Sequence, residues 1–299
     1  MTPAKAERRF APAKVNLFLH VGGKRPDGYH DLVSLIAFAD AGDWLEVRDA
    51  PRMSLTLKGP YAEALKDETD NLVLRAAREL DVWAEERGHK TTNVELILEK
   101  NLPVASGIGG GSADAAATLH LLAERWSLPI AVDELEAIGA NLGADVPVCL
   151  RGRPTLVSGM GEILKPAPEL PPFALVLVNP GIEVPTKRIF NTISVRSGVE
   201  PPVFPPRFDN ARAFAMFLDR LYNDLAAPAK AIAPVIMKAE SALAATDGCL
   251  IARMSGSGAT CVGLYETDAA AAKAADAIVA AHPTWWVKSA RTYVSPQFG

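Results

Sequence analysis

Little in this 299-residue chain marks it for an oxidising, membrane-bound or nucleic-acid-binding role. Cysteine is scarce: Cys149, Cys249 and Cys261 are odd in number, far apart and form no Cys-x-x-Cys pair. That excludes a disulfide framework and reads as three buried thiols in a reducing compartment. Long apolar runs are missing. The strongest, such as Ala174–Val178, fall far below the ~20 residues of a membrane span. The opening MTPAKAERRFAPAK lacks the apolar stretch of a secretory signal, so a cytoplasmic, soluble protein is expected. A basic surplus is missing too: 31 Lys and Arg against 35 Asp and Glu give a net charge of −4. That balance gives no support to binding nucleic acid or an anionic membrane. The five histidines form no His-Glu-x-x-His or similar cluster, which leaves any metal ligands open.

What is present is ordinary globular material, 49% hydrophobic and 22% charged, which excludes disorder as a description of the whole. The length suits two domains or one large one, burying roughly 75% of the unfolded surface without disulfide or metal. Proline, 23 in all, is somewhat abundant, and ten of those lie between Pro166 and Pro206. The stretches LKPAPELPPF and VEPPVFPPRF break any regular element, and the first suggests a boundary near residue 165. Alternation in 15–21 predicts a strand with Val15, Leu17, Leu19 and Val21 on one face, opposite Lys14, Asn16, Phe18 and His20. Further strands are expected at 44–47, 53–57, 94–98, 174–178, 249–253, 260–265 and 286–290. Helices are expected at 71–87 (closed by Gly88), 113–125, 133–141, 212–225, 231–245 and 268–281. The interleaving gives an α+β class with two layers in each part.

Four segments could carry chemistry. Asn101–Ala117, NLPVASGIGGGSADAAA, sets Gly107, Gly109, Gly110 and Gly111 before Ser112 and an Ala-rich helix. Glycines let backbone approach a ligand closely, and a helix start offers free N–H groups to an anion, as a phosphate cradle needs. It is no Walker A loop, since no lysine precedes Ser112, and it fails Gly-x-Gly-x-x-Gly because Ser112 takes the sixth place. The bland alternative is a flexible turn capped by Ser112. In Ala11–His30, Lys14 and Asn16 share a strand face; Lys14 could border a cleft or be a solvated edge charge. Arg25-Pro26-Asp27-Gly28 is turn chemistry that presents Tyr29 and His30, the latter open to a purely structural role. Asp145, in NLGADVPVCL, is either chemical or the cap of a short helix with Pro147 in its first turn. Met254–Thr260, MSGSGAT, alone reads as a glycine-rich turn, and Ser257 does not fit Gly-x-Ser-x-Gly.

Together these segments resemble the GHMP kinases, the small-molecule kinases of galactose, homoserine and mevalonate. The family's phosphate loop falls on Pro103–Ala113 and its C-terminal glycine motif on Ser255–Ala259. Within the family, the resemblance is nearest to the branch that phosphorylates a cytidyl-diphosphate-linked methylerythritol in the non-mevalonate isoprenoid pathway. It runs through AKVNLFL at 13–19, RPDGYHDL at 25–32, the loop, LGADVPVCLRG at 142–152 and PGIEVPT at 180–186, nearly the whole chain. The resemblance implies a two-domain fold: an N-terminal α/β sandwich holding ATP (1–165) and a C-terminal ferredoxin-like α+β domain (166–299), with the site in the cleft between. It also implies transfer of the ATP γ-phosphoryl to a 2-hydroxyl, with Mg²⁺ bridging phosphates. Asp145 falls on the family's catalytic aspartate and Lys14 on its catalytic lysine. ATP contacts fall on Asn71, Lys100, Pro103, Val104, Ala105, Ser106, Gly107, Ile108, Gly109, Gly110, Gly111, Ser112 and Ala113. Substrate contacts fall on Asn16, Tyr29, His30, Thr186 and Phe190, with the Tyr29 and Phe190 rings enclosing the cytosine. The loop departs from the family in Ala105-Ser106, where many members have Gly-Gly, and in Ala113, which replaces a second hydroxyl. Small-molecule substrates are the implied partners, with no nucleic acid and no membrane; the oligomeric state stays open. Alternatives are another GHMP kinase, of mevalonate or homoserine type, and a non-catalytic sensor on the same fold.

Overall fold

Two long strands organise the first half of the chain, whose computed structural model describes residues 7–26, 28–193 and 198–295. Asp27 of the expected turn, and the outermost residues of both expected domains, lie outside these. Strand β1 (Glu7–Lys24) runs antiparallel to β2 (His30–Asp49) for almost its whole length. Across β2 lie β4 (Val94–Glu99), β5 (Thr155–Gly159) and, at Phe38 and Ala39, the last strand β10 (Trp286–Tyr293). Strand β3 (Ser54–Lys58) pairs parallel with β4, and β6 (Ile163–Pro166) pairs with β5. Helices α1 (Leu72–Glu86), α2 (Gly110–Arg125), α3 (Val132–Leu142) and α4 (Val146–Arg151) share one core with this sheet. That gives the first half two layers. α2 is buried nearly all round, and its run of alanines is what lets neighbours approach so closely.

The second half reads β7 (Ala174–Asn179), α8 (Val235–Ala244), β8 (Cys249–Met254), β9 (Cys261–Tyr265), α9 (Asp268–Ala281) and β10. Its strands pair antiparallel in the order β10-β7-β9-β8. A βαββαβ chain with its fourth strand beside the first is the ferredoxin-like arrangement. Strand β7 is buried on both faces: Ala174, Val176 and Val178 meet the core under α8 and α9, while Leu175 and Leu177 meet Phe214 and the β1 residues Val15 and Leu17. The halves are therefore joined through a common apolar core as well as through β10.

Several elements differ from expectation for identifiable reasons. A bulge at Leu17, where the register slips between Asn16↔Ile36 and Phe18↔Leu35, reverses the alternation of β1. Phe18 consequently joins Val15 and Leu17 in one core, while Leu19 and Val21 enter the core on the other side. The helix expected over 212–225 is α6 (Ala211–Asp219), and the residues after it instead pair with β1. There Leu19 N–H donates to Tyr222 O (3.0 Å) and Asp224 N–H to Leu19 O (2.9 Å). The helix expected over 231–245 is split into α7 (Ala226–Ile232) and α8, because Pro234 allows no continuation through Ala233. The three thiols are unpaired as expected, but Cys249 is only partly buried.

Candidate active site

The site begins with the bulged strand. Lys14 N–H donates to Ile108 O at 2.8 Å, fastening β1 to the glycine-rich loop. Gly109 explains why the contact is so close. Its φ is +64°, and a Cβ there would lie 2.9 Å from Lys14 Cε and 3.1 Å from Lys14 Cβ. Gly107, at φ +77°, meets the second glycine-rich turn: an added Cβ would stand 2.6 Å from the backbone N and O of Gly258. Thr260 N–H donates to Ser106 O (3.1 Å), Ser255 Oγ to Gly107 O (3.2 Å) and Asn16 N–H to Ser255 Oγ (3.0 Å). Asn223 closes the turn from beneath, its Nδ2 donating to Met254 O (3.0 Å) and Gly256 O (2.8 Å). The segment that read alone as a turn is thus the wall against which the phosphate loop is built. At Ala105 the backbone has a positive φ of +50°, which costs a residue with a Cβ about 1 kcal/mol.

Helix α2 opens behind Gly109 with no side-chain cap, so its first amides keep their outward hydrogen-bonding capacity and the positive end of the helix dipole. They line a cavity of about 430 Å³. Its walls include Asn71, Lys100, Pro103–Gly107, Gly109–Ser112 and, from the second half, Glu183–Thr186 and Ser257. Thr186 Oγ1 and Ser257 Oγ stand 2.8 Å apart. Of the expected ATP contacts, Ile108 and Ala113 turn their side chains into the apolar cores and line no part of the cavity. Asn71 is also the N-cap of α1, its Oδ1 accepting from Val73 N–H at 2.9 Å.

Lys14 and Asp145 are 131 positions apart in the chain, yet Lys14 Nζ lies 2.9 Å from Asp145 Oδ2. Asp145 stands at the N-cap of α4 but makes no side-chain cap bond, which sets aside the reading of it as a helix cap. Lys14 is buried, whereas the Asp145 side chain is 47% exposed, so the carboxylate faces open space with a cation held behind it. Asn16 Oδ1 accepts from Lys14 Nζ (3.2 Å) while its Nδ2 donates to Ser34 Oγ (2.8 Å), orienting the ammonium group. The pair sits just outside the cavity, against Gly109. Helix α5 (Thr186–Phe190) leads from the cavity at Thr186 to Phe190, whose ring faces His30 at 5.7 Å and 35°. His30 Nδ1 is 3.0 Å from Gly22 O, and Tyr29 beside it is 65% exposed. Phe190 thus has His30 as a neighbouring ring, at the end of α5 away from the cavity.

Sequence reasoning did not single out Ser34, Asp43, Asp114, Asn223 or Arg253, and named Ser255 and Ser257 only within the glycine-rich motif. Asp43 and Asp114 enclose Lys100, whose Nζ lies 2.5 Å from Asp43 Oδ2 and 2.7 Å from Asp114 Oδ2, all three side chains buried. Burial works against the Lys100 charge, but the Asp114 and Asp43 carboxylates outweigh it and its pKa is raised. Asp114 is pushed up to about 7 by burial, against Lys100 and with the Asp43 charge adding. Arg253 donates to Leu17 O (2.6 Å) and Leu218 O (2.8 Å), holding the bulge to α6, and burial lowers it to about 10. Those five are isolated polar residues that acquire meaning through distant partners.

A backbone cradle at a helix start, a second glycine turn locked to it and a lysine-paired carboxylate beside them suit phosphoryl transfer. Known proteins of one family resemble the chain over most of its length. The model of the GHMP kinase N-terminal domain matches residues 71–153, and that of the GHMP kinase C-terminal domain matches 208–284. A protein of Cereibacter sphaeroides named 4-diphosphocytidyl-2-C-methyl-D-erythritol kinase is 53% identical over 283 residues, covering 94% of this chain and 98% of its own. One of the same name from Paramagnetospirillum magneticum is 49% identical over 282 residues, covering 94% and 96%. A solved 4-(cytidine 5'-diphospho)-2C-methyl-D-erythritol kinase superposes with TM-score 0.73 at 35% identity, covering 95% of this chain and 99% of its own. A mevalonate kinase at 10% identity, with TM-score 0.68, shares the fold. The chain is therefore a kinase belonging to the GHMP family.

Proposed function

We propose that this kinase transfers the γ-phosphoryl of ATP to the 2-hydroxyl of 4-diphosphocytidyl-2-C-methyl-D-erythritol, a cytoplasmic step of the non-mevalonate isoprenoid pathway. The reading takes its substrate from relatives at about half identity over nearly the whole chain. The observation that carries the chemistry is the Lys14–Asp145 pair, 2.9 Å apart beside the phosphate loop. Phosphoryl transfer asks for positioning and charge stabilisation. The amides of Gly107 and Gly109–Ser112 hold the ATP phosphates. Asp145 accepts the hydroxyl proton at a carboxylate oxygen, and Lys14, 2.9 Å from it, screens the negative charge developing on the acceptor oxygen. Asn16 orients Lys14, and the acceptor lies toward Tyr29, His30 and Phe190 with Thr186 at the junction. We divide the two domains near residue 165, where β6 gives way to the proline-rich link to β7.

Among the described residues no group of three or more His, Cys, Asp or Glu could hold a metal by itself. That fits a Mg²⁺ held mainly by phosphate oxygens, which needs only one or two protein ligands. Asp114 lines the cavity and its Oδ1 is buried without a hydrogen-bond partner, so with the Ser112 hydroxyl it would supply them. Bound there, the ion would neutralise charge on the β- and γ-phosphates.

ADP release tests the reading, measured with ATP and, separately, the cytidyl diphosphate substrate, mevalonate and homoserine. ADP with the cytidyl compound alone is expected. ADP with mevalonate or homoserine instead would transfer the chain to another branch, and binding without any ADP would make it a sensor.

A further inference from the structure

The phosphate loop is rich in glycine, whose backbone freedom must be removed if its amides are to converge on one anion. Its middle is held by Lys14, Ser255 and Thr260, as described above. Its two ends are held by something else. Asp43, fully buried in β2, accepts from three donors at the loop's entrance: Asn101 N–H (2.5 Å) and Leu102 N–H (2.8 Å) at Oδ1, and Lys100 Nζ (2.5 Å) at Oδ2. Lys100 then reaches across to Asp114 Oδ2 (2.7 Å) in the first turns of α2, beyond the loop's exit. The two ends meet under Gly110, where an added Cβ would come within 3.0 Å of Lys100 Nζ.

We propose that Asp43 is a positioning residue for nucleotide binding, which staples the entrance and exit of the phosphate loop together through Lys100 and the amides of Asn101 and Leu102. The inference rests on reading the cavity as the ATP site. A buried cluster of two acids and one cation is a poor source of stability, since desolvation of such groups offsets much of their attraction. It is well suited to geometry, because one carboxylate satisfies three donors from three consecutive residues in fixed directions. The cluster also changes the reading of Lys100. Its ammonium bonds two carboxylates while it lines the cavity, so Lys100 shapes the loop as well as facing the nucleotide site.

Asp43→Asn tests this, because an amide offers one acceptor oxygen where three donors wait. The dissociation constant for ATP and that for the cytidyl substrate are measured by calorimetry in parent and variant, with kcat alongside. The staple predicts ATP binding weakened about tenfold or more, cytidyl binding within about twofold, and a rise in KM for ATP larger than the fall in kcat at saturating ATP. Unchanged ATP affinity overturns it, as does a parallel loss of both ligands, which would mark general destabilisation. A parent protein that binds no ATP would instead overturn the reading of the cavity. Amide exchange in the parent needs no variant to fold. Asn101 and Leu102 amides should exchange as slowly as those of β4 before any ATP is added, and fast exchange at either overturns the staple.

Discussion

Replacing Asp145 by Asn removes the proposed proton acceptor while keeping its shape. The side chain is half exposed and caps no helix, so water can take the place of the lost charge on its open side. Lys14 behind it keeps the Asn16 oxygen at 3.2 Å. The amide oxygen can still accept from Lys14 Nζ, so the variant should fold, with a stability loss of about 1–3 kcal/mol for leaving a buried ammonium without its counter-charge. The proposed ATP cradle is made of backbone amides around Gly107–Ser112, which the substitution does not touch. Turnover should therefore fall at least ~10²-fold, the lower end of what a general base supplies, while ATP affinity changes less than about threefold. Coupled ADP release gives kcat, and calorimetry with ATP gives the affinity. A kcat within about fivefold of the parent would refute the assignment of the base. So would a loss of turnover that merely follows a loss of ATP binding.

Other substitutions probe separate parts of the account. Tyr29→Ala should weaken cytidyl-substrate binding by ~1–3 kcal/mol, the worth of one stacked base, and leave ATP binding unchanged; an unaltered affinity would remove Tyr29 from the pocket. Gly109→Ala forces a Cβ onto the Lys14 stem at a positive φ, so it should cost about 1–2 kcal/mol of stability and at least about tenfold in kcat. Parent-like turnover there would show that the tight contact is dispensable. His120, on α2, is lowered to about 4 chiefly by burial, with Arg9 adding and its bond to Leu150 O opposing. Because the unfolded chain binds this proton first, near pH 6.5, the contribution is complete above that pH and is lost as pH falls toward 4. It amounts to at most about 3 kcal/mol. Urea midpoints of the parent should drop more steeply over that window than those of His120→Gln, and parallel curves would contradict it.

The sequence made different parts of this protein legible to different degrees. Helix 268–281 matches α9 to the residue because Thr267 caps it locally and its apolar face repeats cleanly. The loop and Asp145 were readable because glycine spacing and a motif carry them. The bulge at Leu17 was not, since a strand's parity depends on the partner it pairs with. Nor was the early end of α6, where Tyr222–Asp224 gain bonds to β1 that no helical propensity reports. The same holds within the site. Lys14 and Asp145 were named separately, but their contact is a property of the fold. Asp43 carries no sequence signal at all: its role comes from Lys100, Asn101 and Leu102, brought beside it by the pairing of β2 with β4.

The central claim is that phosphoryl transfer takes place between the amides of Gly107–Ser112 and the Asp145 carboxylate. The most direct measurement is a structure of the protein with a non-hydrolysable ATP analogue and the cytidyl diphosphate substrate bound together. The account predicts the triphosphate over the start of α2 and the acceptor 2-hydroxyl within ~2.6–3.2 Å of an Asp145 carboxylate oxygen, in line with the γ-phosphate. A hydroxyl resting against another group, with Asp145 still paired only to Lys14 and remote from it, would contradict the account.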